Sequence, residues 1–282
     1  MVAAERASRR ATAPALLRRV EAMSIAGTEH HWGLIPSGLA KRTRPQVVHV
    51  GDGLLTLLPK SDALRLNRVS GLGHRGEARE SMIDAIIERY REAKVKRFSV
   101  LLGPGPQSAE IERWLTRRHF APHGGNALHL RDLRKPIPPV ATKLRVARAR
   151  REDHESIVRI LAESFPVAPS RQEWALAAAA APENEFFLAL GGTTPVAVAM
   201  VRLADRLAWL GGASTRVRWR RRGAQGALIA ARLRRAARAG CEWAWSETAP
   251  PEAGRPDGSR RNLLRMGFEQ VALKPAFVWE RR

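Results

Sequence analysis

Cysteine is almost missing from this chain: Cys241 stands alone among 282 residues. That excludes an internal disulfide and points to a reducing, cytoplasmic setting. Tyrosine is as scarce, with Tyr90 the only one, so phenol chemistry has a single candidate position. Acidic side chains are outnumbered, 27 Asp and Glu against 49 Lys and Arg, giving a formal net charge of +22. No apolar run approaches the ~20 residues of a membrane span, so no membrane partner is expected. The eight histidines show no ligand spacing, with only His30 and His31 adjacent; no metal is expected. Basic strands with interleaved aromatics, which stack bases, are also lacking. The arginine excess therefore reads first as compositional, with clusters at 148–151, 216–222 and 232–238. A nucleic-acid partner is the less favoured reading, and the same field suits a small anionic ligand.

What is present is enough chain for two domains, each able to bury its own core. Arg134-Lys135-Pro136-Ile137-Pro138-Pro139 is the strongest linker, since its prolines favour extended backbone and exclude helix. The expected division is 1–135, a linker at 136–142, and 143–282. In the first half, helical spacing covers Leu16 to about Met23, and Gly51-Asp52-Gly53 marks a hairpin between Val47–Val50 and Leu54–Leu58. A strand is expected over Leu64–Val69, an amphipathic helix over Ser81–Ala93 with Met82, Ile83, Ile86, Ile87 and Tyr90 on one face, and buried-type strands at Phe98–Leu102 and Ala127–Leu130. In the second half, strands are expected at Leu144–Arg148, Glu185–Leu190, Pro195–Leu203, Leu207–Ala213 and Trp243–Ser246. A helix with Ile157, Ile160, Leu161 and Phe165 inward is ended by Pro166 and Pro169.

Leu64–Asp132 echoes Leu207–Glu280 element by element: strand, glycines, long helix, strand, proline-bearing loop, short helix, aromatic, terminal strand. The most informative stretch is Arg220-Arg221-Arg222-Gly223-Ala224-Gln225-Gly226, a basic glycine loop opening a helix after a strand. A helix start leaves backbone N–H groups unpaired, and arginines add bidentate donors, so the stretch is a recipe for holding an anion. It is neither a Walker loop nor a dinucleotide fingerprint.

With Asn262-Leu263-Leu264-Arg265-Met266-Gly267-Phe268 further on, these residues resemble the GCN5-related N-acetyltransferase (GNAT) superfamily. Arg220-x-x-Gly223-x-Gln225 resembles its Arg/Gln-x-x-Gly-x-Gly/Ala loop but departs from it at the last position, where Gln225 replaces the usual Gly or Ala and Gly226 follows at once. The resemblance implies an α/β (α+β) fold of two tandem GNAT-like domains, each with a mixed, mostly antiparallel sheet flanked by helices. The first copy is degenerate: Asn67–Gly76 has Gly71, Gly73 and Gly76 but lacks the motif's register, and is expected not to bind cofactor. The resemblance also implies acetyl transfer from acetyl-coenzyme A to a primary amine, a small-molecule acceptor being favoured over aminoacyl-tRNA or a protein. Its pyrophosphate would lie on Arg222 to Gly226, with Arg220 and Arg221 pairing the phosphates. Ala213, Ser214 and Thr215 would present the oxyanion-stabilising N–H groups, and Asn262 would bind near the cofactor or cap its helix. The family's usual acid tyrosine falls at Leu263. Glu247, assisted by Ser246, is the candidate base or amine-binding carboxylate; a plain surface carboxylate is the other reading. Trp243 and Trp245 share a strand face and read as core, and Cys241 as packing.

Overall fold

The computed structural model describes residues 2–165, 168–252 and 257–281, with the backbone alone for 2–13. Helix α1 (Val2–Gly33) and α2 (Ser37–Thr43) precede a hairpin of β1 (Gln46–Val50) and β2 (Gly53–Leu57). Then come β3 (Arg68–Ser70), α3 (Glu80–Glu92), β4 (Arg97–Leu101), α4 (Ser108–Arg117) and β5 (Ala121–Asp132). The second half gives β6 (Arg145–Arg148), α5 (His154–Ala162), α6 (Gln172–Ala180), β7 (Glu185–Gly191), β8 (Thr194–Ala204) and β9 (Leu207–Thr215). It closes with α7 (Ala224–Arg238), β10 (Trp243–Thr248), α8 (Gly258–Arg265) and β11 (Glu269–Glu280).

By contacts the chain forms two compact units: 1–33, 40–126 and 272–282 in the first, 34–39 and 127–271 in the second. These cut the chain differently from the linear division at 136–142, because each unit takes its final strand from the other half of the sequence. In unit one, β1–β2 and β2–β3 are antiparallel, β3–β4 parallel, and residues 276–280 of β11 pair antiparallel with β4. In unit two, β6–β7, β7–β8 and β8–β9 are antiparallel, β9–β10 parallel, and residues 127–132 of β5 pair antiparallel with β10. The same succession of pairings in both units gives the internal repeat its structural form.

Unit one's core joins the apolar stripe of α3 (Ile83, Ile86, Ile87, Tyr90) to Phe98 and Val100 of β4 and Phe277 and Trp279 of β11. Tyr90 stacks on Phe98 with centroids 3.9 Å apart, and its hydroxyl donates to the Thr56 carbonyl at 2.8 Å. The sole tyrosine is thus a core residue, with burial pushing its pKa well up. Helix α1 runs far beyond the 16–23 segment expected. The Leu64–Val69 strand shrinks to Arg68–Ser70, because Leu66 and Asn67 turn back on the Ala63 carbonyl.

Unit two has a core on each side of its sheet. Leu228, Ile229, Leu233 and Ala236 of α7 pack on one face with Ala208, Leu210 and Ala244. Ile157 and Ile160 of α5 pack on the other with Leu188, Val198 and Met200. Each such aliphatic side chain contributes roughly 1.5–3 kcal/mol by burial. Phe165 departs from the expected inward set and is 47% exposed. Pro166 lies outside the described residues. Among the described residues no helix is long and apolar enough to cross a membrane.

Candidate active site

The site begins where two parallel strands separate. β9 and β10 pair through Leu207/Trp243, Ala208/Ala244 and Trp209/Trp245, and their pairing stops there. The Ser246 hydroxyl donates to the Leu210 carbonyl at 2.7 Å and bridges the point of parting. Beyond it β9 stays on β8 to Thr215, and β10 stays on β5 to Thr248. A wedge-shaped opening follows, one wall of which is the unpaired edge of β9 from Leu210 to Thr215.

A bulge shapes that edge. Met200 opposes Gly211 and Ala199 opposes Ala213, leaving Gly212 as the extra residue with φ 42°. Beneath it Arg232 of α7 is buried and gives its guanidinium to three carbonyls: Leu228 at 3.1 Å, Met200 at 2.9 Å and Gly211 at 3.4 Å. Two of these flank the bulge. Burial without a facing carboxylate pushes the Arg232 pKa down to about 9; an enclosed cation held by dipoles alone is destabilised relative to its neutral form.

At the mouth of the wedge stands the N-terminus of α7. Gly223 caps it in the left-handed region, φ 81°, and the first helical bond is Ala227 N–H to the Gly223 carbonyl at 3.0 Å. The N–H groups of Ala224, Gln225 and Gly226 are therefore the free first-turn donors of the helix. A Cβ on Gly223 would come within 2.8 Å of the Ala141 carbonyl, and one on Gly226 within 3.1 Å of Val140. Both glycines make room for linker residues, a different use from the ligand approach expected of them. Thr142 ties the same linker down by donating to the Arg222 carbonyl at 2.7 Å.

The loop's arginines differ. Arg222 lies over the Trp219 ring, 4.7 Å from its centroid, and Trp219 in turn fills the space beside Gly191. Arg220 is exposed, and its Nε donates to the Thr215 carbonyl at 3.4 Å. Arg221 is exposed with φ 62°.

Solved structures share the fold that carries this arrangement. A GCN5-related N-acetyltransferase from Kribbella flavida matches with a TM-score of 0.56 at 19% identity, over 86% of this chain and 90% of its own. A tandem GNAT protein from the clavulanic acid biosynthesis pathway matches with a TM-score of 0.59 at 15% identity, over 82% and 79%. The chain has a tandem GNAT fold. A GCN5-related N-acetyltransferase from Sphaerobacter thermophilus agrees, with a TM-score of 0.60 at 13% identity over 82% and 81%. No family model and no curated protein matches the sequence.

On this GNAT frame the structure brings Ala213, Ser214 and Thr215 to the β9 edge and Arg220 to Gly226 to the mouth. Ser214 is buried and shares a hydrogen bond with Ser164 at the end of α5, 2.8 Å between oxygens. Glu247 is half-buried on β10 opposite Leu128. Ser246 is 8% exposed and its hydroxyl proton is committed to Leu210, which makes it a clamp at the wedge apex. Asn262 lies inside α8, whose N-cap is Asp257, so the capping reading of Asn262 does not hold. Leu263 is buried in the core. Trp245 is buried and stacks on Trp209, and Cys241 is buried with its pKa raised by desolvation, both in keeping with packing. No cluster of side chains able to hold a metal occurs among the described residues.

Sequence reading missed Trp219, Thr142, Arg232 and His129. Trp219 and Thr142 were signalled only by proximity to the loop and linker. Arg232 sits at a position of α7 otherwise occupied by aliphatic residues, a signal that periodicity contains.

Unit one repeats the arrangement with a different content. Its glycine loop follows β3, and there Gly73 N–H and Arg75 N–H donate to the Asp52 carboxylate at 2.6 and 2.7 Å. The Asp52 side chain is fully buried, with His74 Nδ1 3.6 Å away. Helix α1 closes the neighbouring space: a Cβ on Gly71 would meet Ile25 at 2.3 Å, and one on Gly103 would meet the Glu21 carboxylate at 2.7 Å. Glu21 is paired with Lys274 at 2.8 Å, each side chain 1% exposed.

Proposed function

We propose that the chain transfers an acetyl group from acetyl-coenzyme A to a primary amine, using the wedge of unit two. The observation that supports this most is the coincidence of the free first-turn N–H groups of α7 with the unpaired β9 edge. One suits a pyrophosphate and the other a thioester carbonyl, because fixed N–H donors stabilise both a bound anion and an oxygen gaining charge. Arg220 and Arg221 add charge at the phosphate end. Ala213 to Thr215 supply the carbonyl-facing backbone, and Arg232 holds its bulge. Glu247 lies on the strand across the wedge, where a carboxylate would receive an ammonium acceptor. The amine attacks the thioester directly, and no side chain is acylated. A small-molecule acceptor is favoured, since the sequence has no basic strand with interleaved aromatics for stacking bases.

The test is thermal-shift titration with coenzyme A, followed by a labelled acetyl-transfer screen over small amines, peptides and RNA. Stabilisation by coenzyme A and label in a small amine are expected. No shift at millimolar coenzyme A contradicts the reading.

A further inference from the structure

One strand from the wedge, on β5 beside its β10 wall, lies a base that neither the motifs nor the helix start announce. His129 lies on β5 directly opposite Ser246, the residue at the apex where β9 and β10 part. Directly opposed residues of an antiparallel pair share a face, with Cα atoms about 4.5–5.5 Å apart. His129 is 0% exposed.

The protonation pattern of its ring follows from its neighbours. Nε2 is 3.0 Å from the Thr248 hydroxyl. That hydroxyl has one proton, and donates it to the Ala249 carbonyl at 3.0 Å. Thr248 therefore accepts from His129, which places the ring proton on Nε2 and leaves the lone pair on Nδ1. Nδ1 is buried and has no hydrogen-bond partner among the described residues. The other unpartnered buried side-chain atoms described in unit two, Nε of Arg131 and of Arg216, are donors. His129 Nδ1 is thus the unsatisfied acceptor, and leaving such an atom buried costs about 1–3 kcal/mol. The charged groups acting on the ring are Arg260 of α8 and Glu247 of β10. Leu263, where the superfamily's acid tyrosine is expected, has no proton to give.

We propose that His129 Nδ1 is the proton acceptor of the acetyl transfer and returns the proton to the departing sulfur; this rests on the reading under Proposed function. The acceptor enters as an ammonium and gives one proton to Nδ1. The freed amine nitrogen forms its bond to the thioester carbonyl carbon, and the carbon–sulfur bond breaks with its electron pair on sulfur. The Nδ1 proton passes to that thiolate, and the second nitrogen proton leaves to solvent. The products are an amide, the free thiol and one proton. Thr248 sets the tautomer, and neutral His129 is the working form. Burial is the main cause holding its pKa below the ordinary value, with Arg260 acting the same way and Glu247 opposing.

The experiment uses the full chain labelled with ¹⁵N-histidine. The free protein should show His129 protonated on Nε2 and bare on Nδ1. Coenzyme A, whose thiol can donate, should move the Nδ1 resonance, and acetyl-coenzyme A should move it less. His129→Gln keeps a donor toward Thr248 but has no basic nitrogen, its amide oxygen accepting a hydrogen bond without taking up a proton. It should bind coenzyme A within about two-fold of wild type and lose roughly 100-fold in transfer rate, a usual size for general base catalysis. It should also lose the acid limb of the kcat/KM profile. Should that variant fail to fold, Thr248→Val should mix the tautomers and lower turnover. Coenzyme A bound with unmoved His129 resonances, or a His129→Gln variant with wild-type rate and pH limb, overturns the proposal and leaves the acetyltransferase reading intact. Failure of coenzyme A to bind overturns both.

Discussion

Two glycine loops sit at equivalent points of two units with the same strand succession, and they treat negative charge in opposite ways. In unit one the loop after β3 closes on an anion of its own, the Asp52 carboxylate, held by Gly73 and Arg75 N–H groups. In unit two the loop after β9 has its glycines braced by the linker, and no side chain caps the start of α7. A backbone concavity of this kind attracts an anion in either case. A carboxylate supplied by the hairpin turn makes the first loop a structural joint, while the second receives no carboxylate from the described residues and is the loop we propose as a receptor. Helix α1 completes the contrast: Ile25 and Glu21 fill space in unit one next to Gly71 and Gly103.

The contrast can be broken at either loop. For coenzyme A binding, the largest effect is expected at Gly223→Asp. An L-residue at φ 81° is strained, its Cβ meets the Ala141 carbonyl, and its charge repels phosphate. Coenzyme A affinity should fall more than about 100-fold, a loss of roughly 3 kcal/mol, with the fold retained by circular dichroism.

For stability, the largest effect is expected at Lys274→Met, which strands the Glu21 carboxylate in the interior of unit one. Denaturant unfolding should show a loss of about 3–5 kcal/mol, and the double variant with Glu21→Leu should recover most of it. An unchanged unfolding midpoint would show that the pair does not hold α1.

Asp52→Ala should cost somewhat less, about 2–3 kcal/mol, because it leaves two N–H groups unpaired. Coenzyme A affinity should not change.

The smallest effect concerns acid. His129 is held below the ordinary value of 6.5, so between the two values the native state binds fewer protons than the unfolded chain. Stability is complete above about pH 6.5 and falls as pH drops toward the folded pKa, below which this contribution is flat. His129→Gln should remove that part of the slope in unfolding curves taken over this range, and an unaltered slope would place the titration elsewhere.

Most of the architecture was legible locally. The stripe of α3, the continuous apolar runs of β7 and β8, the glycine before α7 and the repeat of Leu64–Asp132 in Leu207–Glu280 all follow from periodicity and turn chemistry. Non-local choices were not. Nothing in Ala127–Leu130 announces that it pairs with β10, or in Phe277–Trp279 that it pairs with β4, since a strand's pattern states its buried face and not its partner. Asp52 read as a hairpin residue because its second role depends on a loop 21 positions away in sequence. At the candidate site, the loop residues 220–226 were evident from their chemistry. His129 read only as a strand residue, because its tautomer is set by Thr248, 119 positions on. Ser246 read as an assistant to catalysis where the structure makes it the clamp of the wedge.

The central claim is that one of two equivalent loops is a coenzyme A receptor and the other is filled by the protein itself. Calorimetric titration of the full chain with coenzyme A, in wild type, Gly223→Asp and Asp52→Ala, tests it most directly. The account predicts one site per chain, lost in Gly223→Asp and unchanged in number and affinity in Asp52→Ala. Two sites in wild type, or binding that survives Gly223→Asp, would contradict it.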